Sequence, residues 1–218
     1  MKYIKKLDTP QSFVRKTQSL TNWDSYHRCC NRQKRALRRY ILKYEQNNLC
    51  VYCESKITPK KESSHLEHIK PKHLDIENLT FDYNNIVVSC NGNCHTEDQD
   101  HYSCGHRKDK NDTPYDDELF LNPVELENIR EYFEYNIDTG NILESSKDIN
   151  KTNYMIRTLH LNNGSLPLAR KKALKTFIDK IKKIDNAQRK KKIIEILNKE
   201  NLAFISFLRF KYKGILKT

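Results

Sequence analysis

Between Cys50 and Lys110 the chain carries five of its seven cysteines, and their placement limits its fold more than any apolar pattern does. The segment opens with Cys50-Val51-Tyr52-Cys53, runs through His65-Leu66-Glu67-His68-Ile69-Lys70-Pro71, reaches Ser89-Cys90 and closes on Cys104-Gly105-His106-Arg107-Lys108. A two-residue gap in a tight turn aims both sulfurs of a Cys-x2-Cys pair at one tetrahedral ion, about 2.3 Å from each. One pair alone is weak evidence for zinc, and a second pair is needed. Cys90 supplies half of a second pair, and the fourth thiolate is either Cys94 or Cys104. Four thiolates from two separated turns favour structural zinc, because the segment offers little apolar sequence against which cysteines could pack. Interleaved cysteine and histidine also favour metal ligation in a reducing cytosol over a disulfide framework. Cys29 and Cys30 stand apart in a helical pattern and read as small core residues.

Glu67 and His68 lie between the two halves of that thiolate set. Strand alternation places His65 and Glu67 on one face and His68 on the other. A neutral imidazole can take a proton from water, so His68 suits a general base. The neighbouring carboxylate suits a hard divalent ion such as Mg2+ or Mn2+. His65 and His73 read as surface or hydrogen-bonding groups rather than ligands.

The surrounding chain is basic at both ends. Residues 1–60 hold 14 Lys/Arg against 4 Asp/Glu, residues 61–164 hold 10 against 20, and residues 165–218 hold 16 against 4, which makes up the net charge of +12. Clustered Lys and Arg displace condensed counterions from phosphate backbones, so nucleic acid is the expected partner. The first six residues lack the apolar core of a signal peptide, and no apolar run approaches membrane-spanning length. A cytoplasmic protein with no membrane contact is expected.

Trp23, Tyr26, Cys29/Cys30, Ala36/Leu37, Tyr40/Ile41 and Tyr44 recur at three and four residues and predict one amphipathic helix over residues 24–46. Residues 1–22 read as a short helix and a loop. Ser64–Ile69 and Ile86–Ser89 read as strands, and a short helix follows Cys104. Residues 132–143 carry a hairpin signature across Asp138-Thr139-Gly140-Asn141. The last 53 residues read as all-helical, with apolar stripes at Leu174, Phe177/Ile178, Ile181 and Ile184 and at Ile193/Ile194 and Ile196/Leu197.

The order Cys-x2-Cys, Glu-His-Ile-x-Pro-Lys, Asp-x2-Asn-Ile, Ser-Cys, Cys-x3-Lys resembles the HNH endonucleases, whose site is a ββα-metal fold. Within them it is similar to the PtuB-like subgroup of Septu and retron anti-phage systems. Cys53-Glu54, Asn122-Pro123, the Tyr-rich hairpin around Gly140 and Thr158-Leu159-His160-Leu161-Asn162 extend the likeness over most of the chain. The resemblance implies that His68 is the general base, Glu67 a ligand of the catalytic metal, and Asn85 the asparagine whose amide bridges the loop and holds the imidazole in its productive tautomer; Asn84 replaces it if the register slips. The family places His or Asn after its last cysteine, three residues before a lysine. Cys104 and Lys108 fit that frame, which makes Cys104 the fourth zinc ligand and leaves Gly105 in the ligand slot. His106 is the nearest replacement, and the Cys94-His95 step lacks a lysine at position 98.

The expected fold is mainly α with a small α+β core: an N-terminal basic helical segment over residues 1–49, an HNH ββα-metal core with structural zinc over 50–112, and a hairpin plus basic helices over 113–218. The expected function is metal-dependent cleavage of DNA or RNA phosphodiesters in anti-phage defence. The implied partners are a PtuA-like ABC/SMC-type ATPase and, in a retron, a reverse transcriptase with multicopy single-stranded DNA. The competing expectation is a non-catalytic zinc module that docks nucleic acid or protein.

Overall fold

The computed structural model describes residues 1–74, 79–95, 97–108 and 114–216, with the side chains of His73 and Gln99 outside the description. The expected segment boundary near residue 112 also falls outside it. The chain is mostly helical, with two small antiparallel sheets.

Near the N-terminus, α1 (Gln11–Thr17), α2 (Trp23–Cys29) and α3 (Asn31–Tyr44) follow one another. The single helix expected over 24–46 is broken, because Cys30 leaves the helical region at φ −126° and ψ 41°. Cys29 and Cys30 are joined as a disulfide at this junction, and only Cys30 is buried, so they are not two free core thiols. Residues 1–22 do more than link: Met1, Ile4 and Phe13 are buried in the common core. In α3, Leu37, Ile41 and Leu42 share one face and turn inward, while most of the arginines and lysines between them stay outside.

The first sheet pairs β1 (Ser64–His68) with β2 (Ile86–Cys90), with Glu67 opposite Val87 and His68 opposite Ile86. Ile86, Val87 and Val88 are all buried, so this β-branched run is covered on both faces. One cover is α3. From its C-terminal end Gln46, itself fully buried, donates to the carbonyls of Leu49 and Val88 and accepts from the Val88 N–H, each at 2.8 Å. The second cover is the short helix α4 (Cys104–Lys108), tied to the C-terminal half where Cys104 N–H meets the Leu159 carbonyl at 2.9 Å.

The second sheet is the expected hairpin, β3 (Phe133–Tyr135) with β4 (Ile142–Glu144). Helices α5 (Ile149–Thr158), α6 (Leu166–Lys182), α7 (Asn186–Asn198), α8 (Ile205–Lys211) and α9 (Lys213–Leu216) complete the chain. Asn162 clasps Ile142 through both backbone groups, and the buried Arg170 donates to the carbonyls of Gly140 and Leu161. The C-terminal stripes are satisfied within the chain: Leu174, Phe177, Ile181, Ile193 and Leu197 all sit in the core. Glu54 links this half to the first cysteine turn, since its carboxylate accepts from Ser206 N–H at 2.8 Å and Ser206 Oγ at 2.6 Å.

The cysteine segment turns out to have a core of its own. Leu49, Val51, Tyr52, Ile57, Ile69 and the β2 residues are buried together with Cys50, Cys53 and Cys104. The segment's own scattered apolar residues, brought together by β-pairing and the cysteine turn, supply the cover that its composition did not promise.

Candidate metal centre and catalytic site

Four sulfurs meet beneath β2. The donor atoms of Cys50, Cys53, Cys90 and Cys104 all lie within 4.8 Å of one another, and among the described residues no other Cys, His, Asp or Glu set of three or more does so. Cys94 is outside the cluster. Tetrahedral bonds of about 2.3 Å require sulfurs about 3.8 Å apart, and Cys53 Sγ stands 3.7 Å from Cys90 Sγ. The turn that carries Cys50 and Cys53 is closed by Glu54 N–H on the Cys50 carbonyl and by Cys50 N–H on the Ser55 carbonyl. Its left-handed residue, Glu54 at φ 63°, lets the chain reverse directly after the second sulfur. Burial opposes charge on Cys50, but the three other thiols and the Cys90 N–H, 3.3 Å away, donate to it and bring its pKa down. A buried four-thiol set with a backbone donor to one sulfur could hold zinc, and such a site contributes directly to folding.

Glu67 lies on the neighbouring strand β1, near the cage, and is 2% exposed. Its Oε1 accepts from Tyr52 OH at 3.1 Å and pairs with Lys108 Nζ at 3.2 Å. Its Oε2 lies 3.2 Å from His65 Nε2. Burial alone would raise this carboxyl; the Lys108 ammonium and His65 outweigh it and bring it down to about 2, so Glu67 is ionised at neutral pH. Burial likewise lowers His65, but the hydrogen bond and charge of Glu67 leave its pKa raised. His106, on α4, packs against His65 with the rings tilted by 47° and their centroids 4.2 Å apart.

His68 points the other way, as alternation requires. Its Nε2 meets the Thr80 carbonyl at 3.0 Å, and the Trp23 ring packs on it edge-on at 4.4 Å. A carbonyl only accepts, so Nε2 carries the proton of the neutral ring and Nδ1 holds the lone pair. Burial pushes the imidazole down to about 4, which keeps it neutral at pH 7. The resemblance gives Asn85 the task of bridging the loop beside this ring, and its amide does span that loop. It accepts from Lys70 N–H at 2.8 Å and donates to the carbonyls of Lys70 and Leu79. It therefore pins the loop whose next residue, Thr80, meets the imidazole. Asn84 is at the surface and is not part of this bridge.

Gly105 occupies its place for a steric reason. A Cβ there would stand 2.4 Å from Glu67 Oε2 and 2.8 Å from His65 Nε2. Gly105→Ala is therefore expected to lower stability by about 1–3 kcal/mol, read as a shift in the urea midpoint, because a buried carboxylate must move. An unshifted midpoint would show that the carboxylate can yield freely.

Beside this site runs a basic groove of about 680 Å³, whose lining includes Lys34, Arg35, Arg38, Lys60, Lys61 and His65. Arg38 reaches across to the Ser64 carbonyl and fixes α3 against β1. The basic segments are visible in the sequence, but this groove is not. Nor are Tyr52, Thr80 and Trp23, which approach Glu67 and His68 from 12 to 45 positions away along the chain. No helix among the described residues is long and apolar enough to cross a membrane.

No family model matches the chain. It is 30% identical over 174 residues to a protein of Vibrio cholerae serotype O1 biovar El Tor named "Retron Vc95 putative HNH endonuclease", covering 77% of this chain and 73% of that protein. At that identity and coverage, the chain belongs to the HNH endonucleases.

Proposed function

We propose that the protein is a metal-dependent endonuclease that hydrolyses nucleic-acid phosphodiesters, with β1, β2 and α4 as its ββα-metal core and the four cysteines holding a structural zinc. The observation that carries this reading is the end of β1. There one residue, Glu67, is an ionised carboxylate turned toward α4, and the next, His68, is a neutral imidazole fixed in one tautomer. In this reading His68 Nδ1 takes a proton from the attacking water, whose oxygen bonds to phosphorus as the bond to the leaving oxygen breaks. Thr80 keeps the ring in that tautomer, and Asn85 keeps Thr80 in place. Tyr52 and Lys108 hold Glu67 Oε1, so Oε2 is the oxygen available to a cation. The glycine at 105 suits this, since any side chain there would cover Oε2. Mg2+ or Mn2+ bound there would offset charge developing on the phosphate and the leaving oxygen.

The groove lined by Lys34, Arg35, Arg38, Lys60 and Lys61 supports a phosphate backbone as the substrate, because it leads to His65 at the edge of the site. Lys60→Ala with Lys61→Ala is expected to weaken binding of short duplex and single-stranded oligonucleotides alike. The slope of log affinity against log salt should fall by about 1 to 2, close to one unit for each phosphate that the variant no longer neutralises. An unchanged slope in fluorescence anisotropy would place the nucleic acid on another face.

The relative's name places that protein in a retron. We extend the setting to this chain: anti-phage defence of the Septu or retron kind, a PtuB-like role beside an ABC/SMC-type ATPase, and a reverse transcriptase with its multicopy single-stranded DNA where a retron is present. Gating by a partner fits the burial of the site. His68 is 7% exposed under Trp23, and Glu67 is covered by Tyr52, His65 and Lys108. The test is phage protection and product sequencing in cells expressing the whole system, with and without the ATPase. Strong specific cleavage by the isolated chain would overturn the gating.

A further inference from the structure

We infer that His65, two residues before Glu67 on the same strand face, is the imidazole ligand of the catalytic metal, standing in for the side chain that Gly105 lacks. This assignment rests on the nuclease reading above and goes beyond it by naming a ligand that the motif does not contain.

Space is the first consideration. A ligand at position 105 would project toward Glu67 Oε2. The place its Cβ would take is already bounded by Glu67 Oε2 at 2.4 Å and His65 Nε2 at 2.8 Å. Two donors that reach one ion over bonds of about 2.1 Å at right angles lie about 3.0 Å apart, and these two atoms are 3.2 Å apart. The distance suits a shared cation as well as a shared proton.

Orientation agrees. A ligating histidine characteristically donates its other ring N–H to an oxygen that fixes the ring. His65 Nδ1 faces Asn91 Oδ1 at 3.4 Å. The Asn91 amide is held in that sense because its Nδ2 donates to the Lys61 carbonyl at 2.9 Å. Nδ1 thus has an acceptor, and Nε2 is the nitrogen turned to the carboxylate. Glu67 is divided in the same way: protein donors hold Oε1, and Oε2 meets His65.

Access fits as well. His65 lines the basic groove and the buried Glu67 is 3.2 Å from it, so an ion between them would lie next to a residue of the groove wall. His106, the candidate that the motif suggests, sets its ring at a tilt against that of His65, which makes it the neighbour of the proposed ligand.

The test is Mn2+ binding to the zinc-loaded full-length protein, read by titration calorimetry and by pulsed electron paramagnetic resonance for coupling to an imidazole nitrogen. The wild type should bind one Mn2+ with such coupling. His65→Ala should weaken binding at least about tenfold and abolish the coupling. His65→Gln keeps a hydrogen-bonding group against Glu67 and covers the case in which alanine fails to fold; it should lose the coupling too. His106→Ala should keep both affinity and coupling. Unchanged coupling in His65→Gln, or its loss in His106→Ala alone, would overturn the assignment while leaving the nuclease reading intact. A wild type that binds no Mn2+, with phage protection unaffected by His68→Ala, would remove the nuclease reading and this inference together.

Discussion

His68→Ala is expected to abolish phage protection and reduce cleavage by about 10²–10⁴-fold, the range that a positioned general base supplies, while zinc content and folding persist. The geometry makes the variant a clean probe. The imidazole bonds outward to the Thr80 carbonyl and packs against Trp23, and neither contact belongs to the cysteine cluster. Truncation leaves the Thr80 carbonyl without this partner and opens a small gap beside Trp23, at a cost of about 1–3 kcal/mol. That loss is measurable by urea unfolding and can be subtracted from any effect on protection. The competing view, a zinc module that docks nucleic acid without cutting it, predicts the opposite pattern: full protection with the same modest loss of stability. Measuring zinc by mass spectrometry alongside protection separates the two. Unchanged protection would end the enzymatic reading.

The second large effect is expected at Cys104. Cys104→Ser should lose both zinc and soluble protein, whereas Cys94→Ser should keep one zinc per chain. Cys104 is fully buried, and its backbone N–H meets the Leu159 carbonyl, so one residue joins the sulfur cluster, helix α4 and the end of α5. Binding free energies of structural zinc in small domains run to about 10–16 kcal/mol at pH 7, against a total stability of about 5–15 kcal/mol for a typical domain. The surrounding apolar core softens the loss but does not replace it, since a serine hydroxyl is a poor zinc ligand and would be buried among three thiols. Cys94 stands outside the sulfur cluster and has no comparable role. Zinc retained in Cys104→Ser and lost in Cys94→Ser would move the fourth ligand to the other cysteine.

Four features were legible in the sequence because they depend on short-range periodicity or turn chemistry. Alternation along β1 placed His65 and Glu67 on one face and His68 on the other, and the side-chain contacts follow that division. The β-branched run Ile86–Val88 formed a buried strand, and the turn around Gly140 formed a hairpin. The two apolar stripes named in the last 53 residues became helices α6 and α7, with Leu174, Phe177, Ile181, Ile193 and Leu197 buried. The break at Cys30 was not legible, since the apolar spacing runs through it unchanged and only the backbone angles record it.

By itself, the sequence determined the residue types and local spacings: a Cys-x2-Cys turn, a carboxylate beside an imidazole, and basic segments around an acidic middle. Only the tertiary structure decided which donors meet. Cys94 and Cys104 both follow Cys90, and no periodicity says which of them returns to the cage; the bond from Cys104 N–H to Leu159 and the packing of α4 on β2 do. The glycine at 105 read as a missing ligand along the chain. In space it is the residue that leaves Glu67 and His65 within reach of each other. Likewise the ring of His68 meets Thr80 directly and Asn85 only through the loop that its amide pins, because that loop closes only once the strands on either side of it have paired. Spacing along a chain fixes which groups are available, and long-range packing fixes which of them share an atom's width of space.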